Sequence, residues 1–255
     1  MTTSHGPAYP SGGPAVRSTL GSGLFLVQVL GDFRVTRRGA PIRLPESTWR
    51  FIALLATAGR PVRRHRAAAQ LWPDKAEDRA HANLRSCLWR LRQAAPSLVG
   101  PSGDPLAFGP GVRVDLAELH SLAARLEAGD AVDPGSMDPS LCCADLLPDF
   151  YDDFVDEQRE LVRQQRLRTL ELVSRRLLAC GEHGGALRYA LLAVSQAPLR
   201  ESAHQLVLES HLAEGNISEA LRHYQSLSQS LWRELGIRPS EQMRSSMARF
   251  LPATA

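Results

Sequence analysis

Lysine is almost missing. Lys75 is the single one in 255 residues, and arginine carries the rest of the positive charge. A bias in genome composition gives the same outcome, so no function is drawn from it. Cysteine is scarce too. Cys87, Cys142, Cys143 and Cys180 form no C-x-x-C pair and no Cys/His cluster at zinc spacing, and adjacent Cys142 and Cys143 could hardly bridge each other without strain. They are expected to be reduced, small packing residues, with no metal bound. No apolar run approaches the about 20 residues of a membrane helix. The N-terminus lacks a basic-then-apolar signal pattern. Catalytic signatures are missing as well: there is no Gly-rich phosphate loop, no G-x-S-x-G elbow and no H-E-x-x-H. The densest acidic stretch, "PDFYDDFVDEQRE" (148–160), has neither the glycine nor the ligand order of a calcium loop. Phe150, Tyr151, Phe154 and Val155 interrupt it, so it reads as a solvated face with an aromatic anchor. These absences argue against an enzyme, a cofactor and a membrane protein.

What the chain does have is a charge split. Its apolar fraction of 44% and charged fraction of 22% suit a soluble globular protein. Residues 1–112 hold 15 basic and 6 acidic residues, a net +9, whereas residues 113–255 hold 15 and 21, a net −6. Such asymmetry points to a basic module for a polyanion followed by an acidic module for something else.

Residues 1–23, rich in Gly, Pro and Ser, read as a disordered leader. Short strand-like runs follow at 24–30, 33–37 and 42–44, punctuated by Gly31-Asp32 and "RRGAP". "STWRFIALLATAGRP" predicts a helix with Phe51, Leu54, Leu55 and Ala58 on one face, stopped at Gly59-Pro61. "RRHRAAAQLW" predicts a second helix, closed by Pro73. "DRAHANLRSCLWRLRQ" (78–93) predicts a third, with Asp78 as its N-cap. Around Gly109-Pro110-Gly111, residues 106–115 are expected to form a hairpin.

Sheet, three helices and hairpin make a winged helix, whose last helix enters the major groove. On a helical wheel Leu84, Cys87, Leu88 and Leu91 of that helix cluster together. Arg79, Ser86, Trp89, Arg90 and Gln93 oppose them and form the candidate groove face; Asn83, Arg85 and Arg92 flank it. Arg63, Arg64 and Arg66 on the second helix, and Arg113 in the expected wing, are candidate contacts to the DNA backbone.

In the acidic half, Asp115 and Glu118 have capping-box spacing, with Leu116, Leu119, Leu122 and Leu126 as a stripe and Gly129 at the end. A loop over 130–140 leads to a long helix from about Asp152 to Cys180. "LACGEHGGALRYA" (178–190) then aligns with "LAEGNISEALRHY" (212–224) at an offset of 34, pairing Gly181 with Gly215 and Val173 with Val207. That period is the mark of tetratricopeptide-like helix pairs, whose business is binding protein.

Taken with "VLGDFRVTRRGAPIRLP", "LWPD", "NLRSCLWRLRQ", "LLPDFYDDFVDEQRELV", "LRESAHQLVLESHLAEGNISEALRHYQSL" and "ELGIRPSEQM", the chain resembles the small form of the Streptomyces antibiotic regulatory protein family. The resemblance covers roughly residues 24–250. It implies an α+β, OmpR-type winged helix-turn-helix over 24–114, then an all-α, tetratricopeptide-like bacterial transcriptional activation domain over 115–255. It also places "NLRSCLWRLRQ" at the recognition helix. The implied function is a sequence-specific activator that binds direct repeats upstream of promoters, as two protomers side by side on double-stranded DNA. It would recruit RNA polymerase holoenzyme through the sigma factor and the alpha subunit, in the cytoplasm at the nucleoid, and control a secondary-metabolite or antibiotic gene cluster. Larger relatives carry an ATPase domain after this module; with the chain ending at Ala255, none is expected here. An adaptor or a repressor using the same winged helix is the alternative.

Overall fold

The structure is a computed structural model and describes residues 24–101, 103–130 and 139–250. The leader over 1–23 and most of the 130–140 loop lie outside the described residues. Four short strands form one sheet in the order β3-β2-β1-β4. β1 (Phe25–Gln28) pairs antiparallel with β2 (Arg34–Arg37), β2 with β3 (Ala40–Pro41), and β1 parallel with β4 (Val112–Val114). Alternation explains the burial: Phe25, Val27 and Val35 point into the core while Arg34 and Thr36 turn to the other face; Arg37, opposite Phe25, lays its guanidinium over that ring at 5.5 Å. The third strand begins two residues earlier than the apolar run at 42–44 suggests. Arg38 and Gly39 both take positive φ and turn the chain at once, which a two-residue hairpin loop requires.

Three helices stand between β3 and β4: α1 (Trp49–Ala58), α2 (Arg64–Leu71) and α3 (Glu77–Ala94). Gly59 closes α1 in the left-handed region at φ 61. α3 buries Ala80, Leu84, Cys87, Leu88 and Leu91 along one stripe. It starts one residue before Asp78, so Asp78 lies in the first turn and Ala76 takes the cap position.

The hairpin is displaced from its expected place. Val99 bridges Phe108 antiparallel and Gly100 N donates to Ala107 O at 2.9 Å, so the chain reverses between these pairs and not at Gly109-Pro110-Gly111; Leu106 bridges Val62 ahead of α2. Gly109 is needed for another reason: a Cβ there would sit 2.1 Å from the Ser97 carbonyl oxygen. The chain leaving Gly109 then enters the first sheet as β4.

α4 (Asp115–Ala128), the short α5 (Ser140–Cys143) and α6 (Asp153–Ala179) carry the chain into the second half. Asp115 and Glu118 form no capping box. The Asp115 carboxylate accepts from the N–H groups of Val29, Leu30 and Leu116, the first two at 3.0 Å, and Glu118 pairs with Arg113. Burial pushes the Asp115 carboxyl up to about 6 against the opposing pull of those N–H donors. Just beyond, Gly31 N donates to Asp145 O at 2.7 Å and Leu147 N to Val29 O at 2.9 Å, and Leu30 bridges Leu146. The end of β1 is thus stitched to both α4 and the segment before α6. One buried cluster runs from Phe25 through Phe51, Leu88, Leu119, Leu147, Val155 and Leu170 to Ala203. The two halves share a core.

The repeats appear as antiparallel helices packing in sequence: α6, α7 (His183–Gln196), α8 (Glu201–Ala213) and α9 (Ile217–Leu235). Gly181 and Gly215, matched at the offset of 34, close equivalent turns at φ 80 and φ 79. Ala186 and Ala220 are both fully buried at the helix crossings, as are Val173 and Val207. α10 (Glu241–Met247) seals the end with Met243 and Met247 against Leu208, Tyr224, Leu227 and Leu231. The aromatic anchor in 148–160 consists of buried Phe150 and Phe154, whereas Tyr151 is 86% exposed.

Candidate nucleic-acid interface

An amphipathic helix lying on a core presents whatever its apolar stripe leaves over. For α3 that remainder is cationic and polar: Arg79, Arg85, Ser86, Trp89, Arg90 and Gln93 are exposed, and Asn83 and Arg92 half-buried. Trp89, 63% exposed, stands near the middle of the face with no ring or cation partner among the described residues. A large apolar ring left in water on a helix with so many guanidinium groups favours a partner offering both apolar edges and negative charge. The thymine methyl and the flanking phosphates of a duplex are such a combination.

The structure separates the face into a centre and two flanks. Ser86, Trp89 and Gln93 lie opposite the buried stripe, with Arg79 close to them. Arg85 and Arg92 lie on one side. Asn83 and Arg90 lie on the other, where with Ser86 they line a pocket of about 320 Å³ against Ser47, Arg50, Phe51 and Trp72. Arg90, expected to face the groove, instead turns toward α1: its Nη1 donates to Ser47 Oγ at 2.9 Å. The Cys87 thiol lies 3.6 Å from the Ser47 carbonyl oxygen and tethers the same turn from below, burial pushing its pKa up to about 11.

The four candidate backbone residues are dispersed. Arg64 holds the hairpin turn, its N–H on Asp104 Oδ1 at 3.0 Å and its Nε on the Gly103 carbonyl at 3.2 Å. Arg63 and Arg66 line a cleft that α1 and α2 share with Phe154, Glu157 and Gln158 of α6. Arg113 lies on β4 with its guanidinium on Glu118, outside the Val99–Phe108 hairpin. Ser47 and Arg50 are residues that sequence reasoning missed. Arg50 reads locally as the polar side of α1, and its partner, Asp152, is 102 residues away. Only the "STWR" run ahead of an apolar helix hinted at donors there.

Nothing in this arrangement pairs a general acid with a base. Among the described residues no group of three or more His, Cys, Asp or Glu could hold a metal ion, and no helix is long and apolar enough to cross a membrane.

Known proteins bear on the second half first. Residues 143–251 match the bacterial transcriptional activator domain family. Regulatory protein AfsR of Streptomyces griseus is 26% identical over 258 residues, covering 97% of this chain and 26% of that protein. AfsR of Streptomyces coelicolor is 28% identical over 244 residues, covering 91% of this chain and 25% of that one. The chain is thus similar to these Streptomyces regulatory proteins along most of its length, and its second half matches the activator-domain family. It spans about a quarter of the length of these two relatives. The structure of Mycobacterium tuberculosis EmbR, solved with a low-affinity phosphopeptide, superposes with a TM-score of 0.64 at 18% identity, covering 91% of this chain and 67% of that one. At that identity it shows the fold, a winged helix followed by tetratricopeptide-like helices.

Proposed function

We propose that this chain activates transcription by binding duplex DNA in a sequence-specific way through α3, with the helical half as its contact to the transcription machinery. One observation carries the reading. α3 exposes Trp89, Ser86 and Gln93 between flanking arginines, opposite a fully buried stripe, in a chain whose residues 143–251 match an activator domain. Ser86, Trp89, Gln93 and Arg79 are then the base-reading set. Arg85, Arg92, Asn83 and Arg90 are placed for the flanking strands, and Arg63, Arg64, Arg66 and Arg113 for backbone at or beyond the hairpin. The functional units run over 24–114 and 115–255. Two protomers side by side on direct repeats, recruitment of RNA polymerase through sigma factor and alpha subunit, and control of an antibiotic gene cluster from the cytoplasmic nucleoid complete the proposal. The regulatory relatives and the acidic charge of the second half support it.

A competition gel shift tests it, using the full chain, the promoter regions beside its own gene, and random duplex as competitor. A discrete complex that survives a large excess of competitor is the expected result. Diffuse, salt-sensitive retardation without a discrete complex contradicts sequence-specific binding.

A further inference from the structure

The pocket beside α3 is lined by two guanidinium groups and by no carboxylate. Arg50 and Arg90 bring guanidinium groups, Asn83 a carboxamide, Ser47 and Ser86 hydroxyls, over apolar walls from Phe51 and Leu71. Ser47 fixes the direction of the Arg90 guanidinium. A single carboxylate answers this charge, and it comes from the other half of the chain. Asp152, the residue ahead of α6, takes Arg50 Nε on Oδ1 at 2.7 Å and Arg50 Nη2 on the same atom, while being itself only 12% exposed. Nη1 of Arg50 has no hydrogen-bond partner among the described residues, and the side chain is 46% exposed. A half-satisfied guanidinium fork beside a second one suits a tetrahedral oxyanion.

We propose that this pocket seats one backbone phosphate of bound duplex, and that the phosphate competes with Asp152 for Arg50. The inference rests on the duplex-binding reading and deepens it. Two features favour a duplex phosphate over a free one. The pocket opens along the flank of α3 that carries Asn83 and Ser86, where the strand bordering an occupied major groove must pass. Ser86 also belongs to the groove face itself, so an anion in the pocket lies beside the bases that face reads. The competition has a consequence for the second half. As the phosphate draws Arg50 away, Asp152 loses its ion pair at the N-terminus of α6, and DNA occupancy is felt where the two halves meet.

The test is an anisotropy titration of the full chain on its best-bound duplex and on random duplex across a salt series. Wild type is compared with Arg50→Gln, Ser47→Ala, Asp152→Asn and the control Asp153→Asn. Arg50→Gln should lower both affinities by the same factor, roughly tenfold, and make the salt slope shallower by about 0.9. Ser47→Ala should act in the same direction and less. Asp152→Asn should raise both affinities roughly threefold, the size of a freed surface charge pair, while Asp153→Asn leaves them unchanged. Arg50→Gln and Asp152→Asn break the same ion pair, so loss of fold cannot give opposite signs. An unchanged salt slope in Arg50→Gln, or equal effects of Asp152→Asn and Asp153→Asn, overturns the seat while leaving duplex binding intact. Wild type that binds no duplex at all overturns the functional reading itself. Neutral methylphosphonates placed singly in the duplex identify the source: one position should weaken wild type and leave Arg50→Gln unaffected. If none does, and inorganic phosphate raises the melting temperature of wild type but not of Arg50→Gln, the pocket holds a free phosphate and the duplex assignment falls.

Discussion

Basic residues are divided evenly between the two halves, 15 in residues 1–112 and 15 in residues 113–255, yet they are used in opposite ways. In the helical half Arg159, Arg163, Arg166, Arg168, Arg200, Arg222, Arg233 and Arg244 each pair with a carboxylate. Several do structural work besides. Arg166, 3% exposed, joins Asp145 and Gln196, and Arg159 donates to the carbonyls of Leu146, Leu147 and Phe150. In the described part of the winged half, Arg50 and Arg113 are the arginines on a carboxylate, and both carboxylates, Asp152 and Glu118, are borrowed from the helical half. Arg79, Arg85, Arg63 and Arg66 keep their charge uncompensated. Composition alone would rank the halves as equally arginine-rich. What separates them is neutralisation, and an uncompensated guanidinium face is the one that polyanions find.

The comparison sharpens when the halves are pulled apart. Because they share one core, a chain cut after residue 114 exposes Val29, Leu30 and the other apolar residues that α4 and α6 cover. It should fail to fold cooperatively, as circular dichroism through a thermal ramp would reveal. A cleanly melting fragment would break the shared-core account. Within the full chain, Phe154→Ala should cost about 3–5 kcal/mol and lower the stability of both halves in a single transition. Gly109→Ala should cost about 1–3 kcal/mol by forcing the Ser97 carbonyl aside, measured by denaturant unfolding.

Asp115→Asn should cost about 1–3 kcal/mol, because a carboxamide cannot accept from three N–H groups as the carboxylate does. It also carries a pH signature. With its folded pKa raised to about 6, Asp115 binds more protons in the folded state than in the unfolded chain between about pH 4 and 6. Its contribution to stability therefore falls as pH rises through that window. His223 slopes the other way: burial and the neighbouring His204 hold it down to about 4, so its contribution is lost as pH falls below 6.5. Melting temperatures of wild type and Asp115→Asn from pH 4 to 7 isolate the first effect as a divergence confined to pH 4–6. The smallest expected effect is at the surface. Arg85→Gln should leave stability unchanged and make the salt slope of duplex binding shallower by about 0.9.

Local patterns gave away most of the elements. The stripe Leu84, Leu88, Leu91 located α3 to within a residue or two, and the offset of 34 located both left-handed glycines. Long-range partners were not legible. Gly109-Pro110-Gly111 has the composition of a turn, but Gly109 is there because Ser97 passes too close for a side chain. Asp115 and Glu118 have the spacing of a cap, but each finds a distant or strand partner: Asp115 at Val29 and Leu30 just past β1, Glu118 at Arg113 on β4. Arg90 falls near the groove face on a wheel, and only the fold brings Ser47 within 2.9 Å to turn it aside. A helical wheel knows which residues leave the core, not what stands beside the helix.

The central claim is that the exposed centre of α3 reads sequence. The direct test compares wild type and Trp89→Ala on the best-bound duplex and on random duplex at one salt concentration. The account predicts a specific-to-random affinity ratio that falls by about 1–3 kcal/mol in the variant, with random binding nearly unchanged. An unchanged ratio would contradict it, leaving Trp89 a bystander and the cationic face of α3 a surface for charge alone.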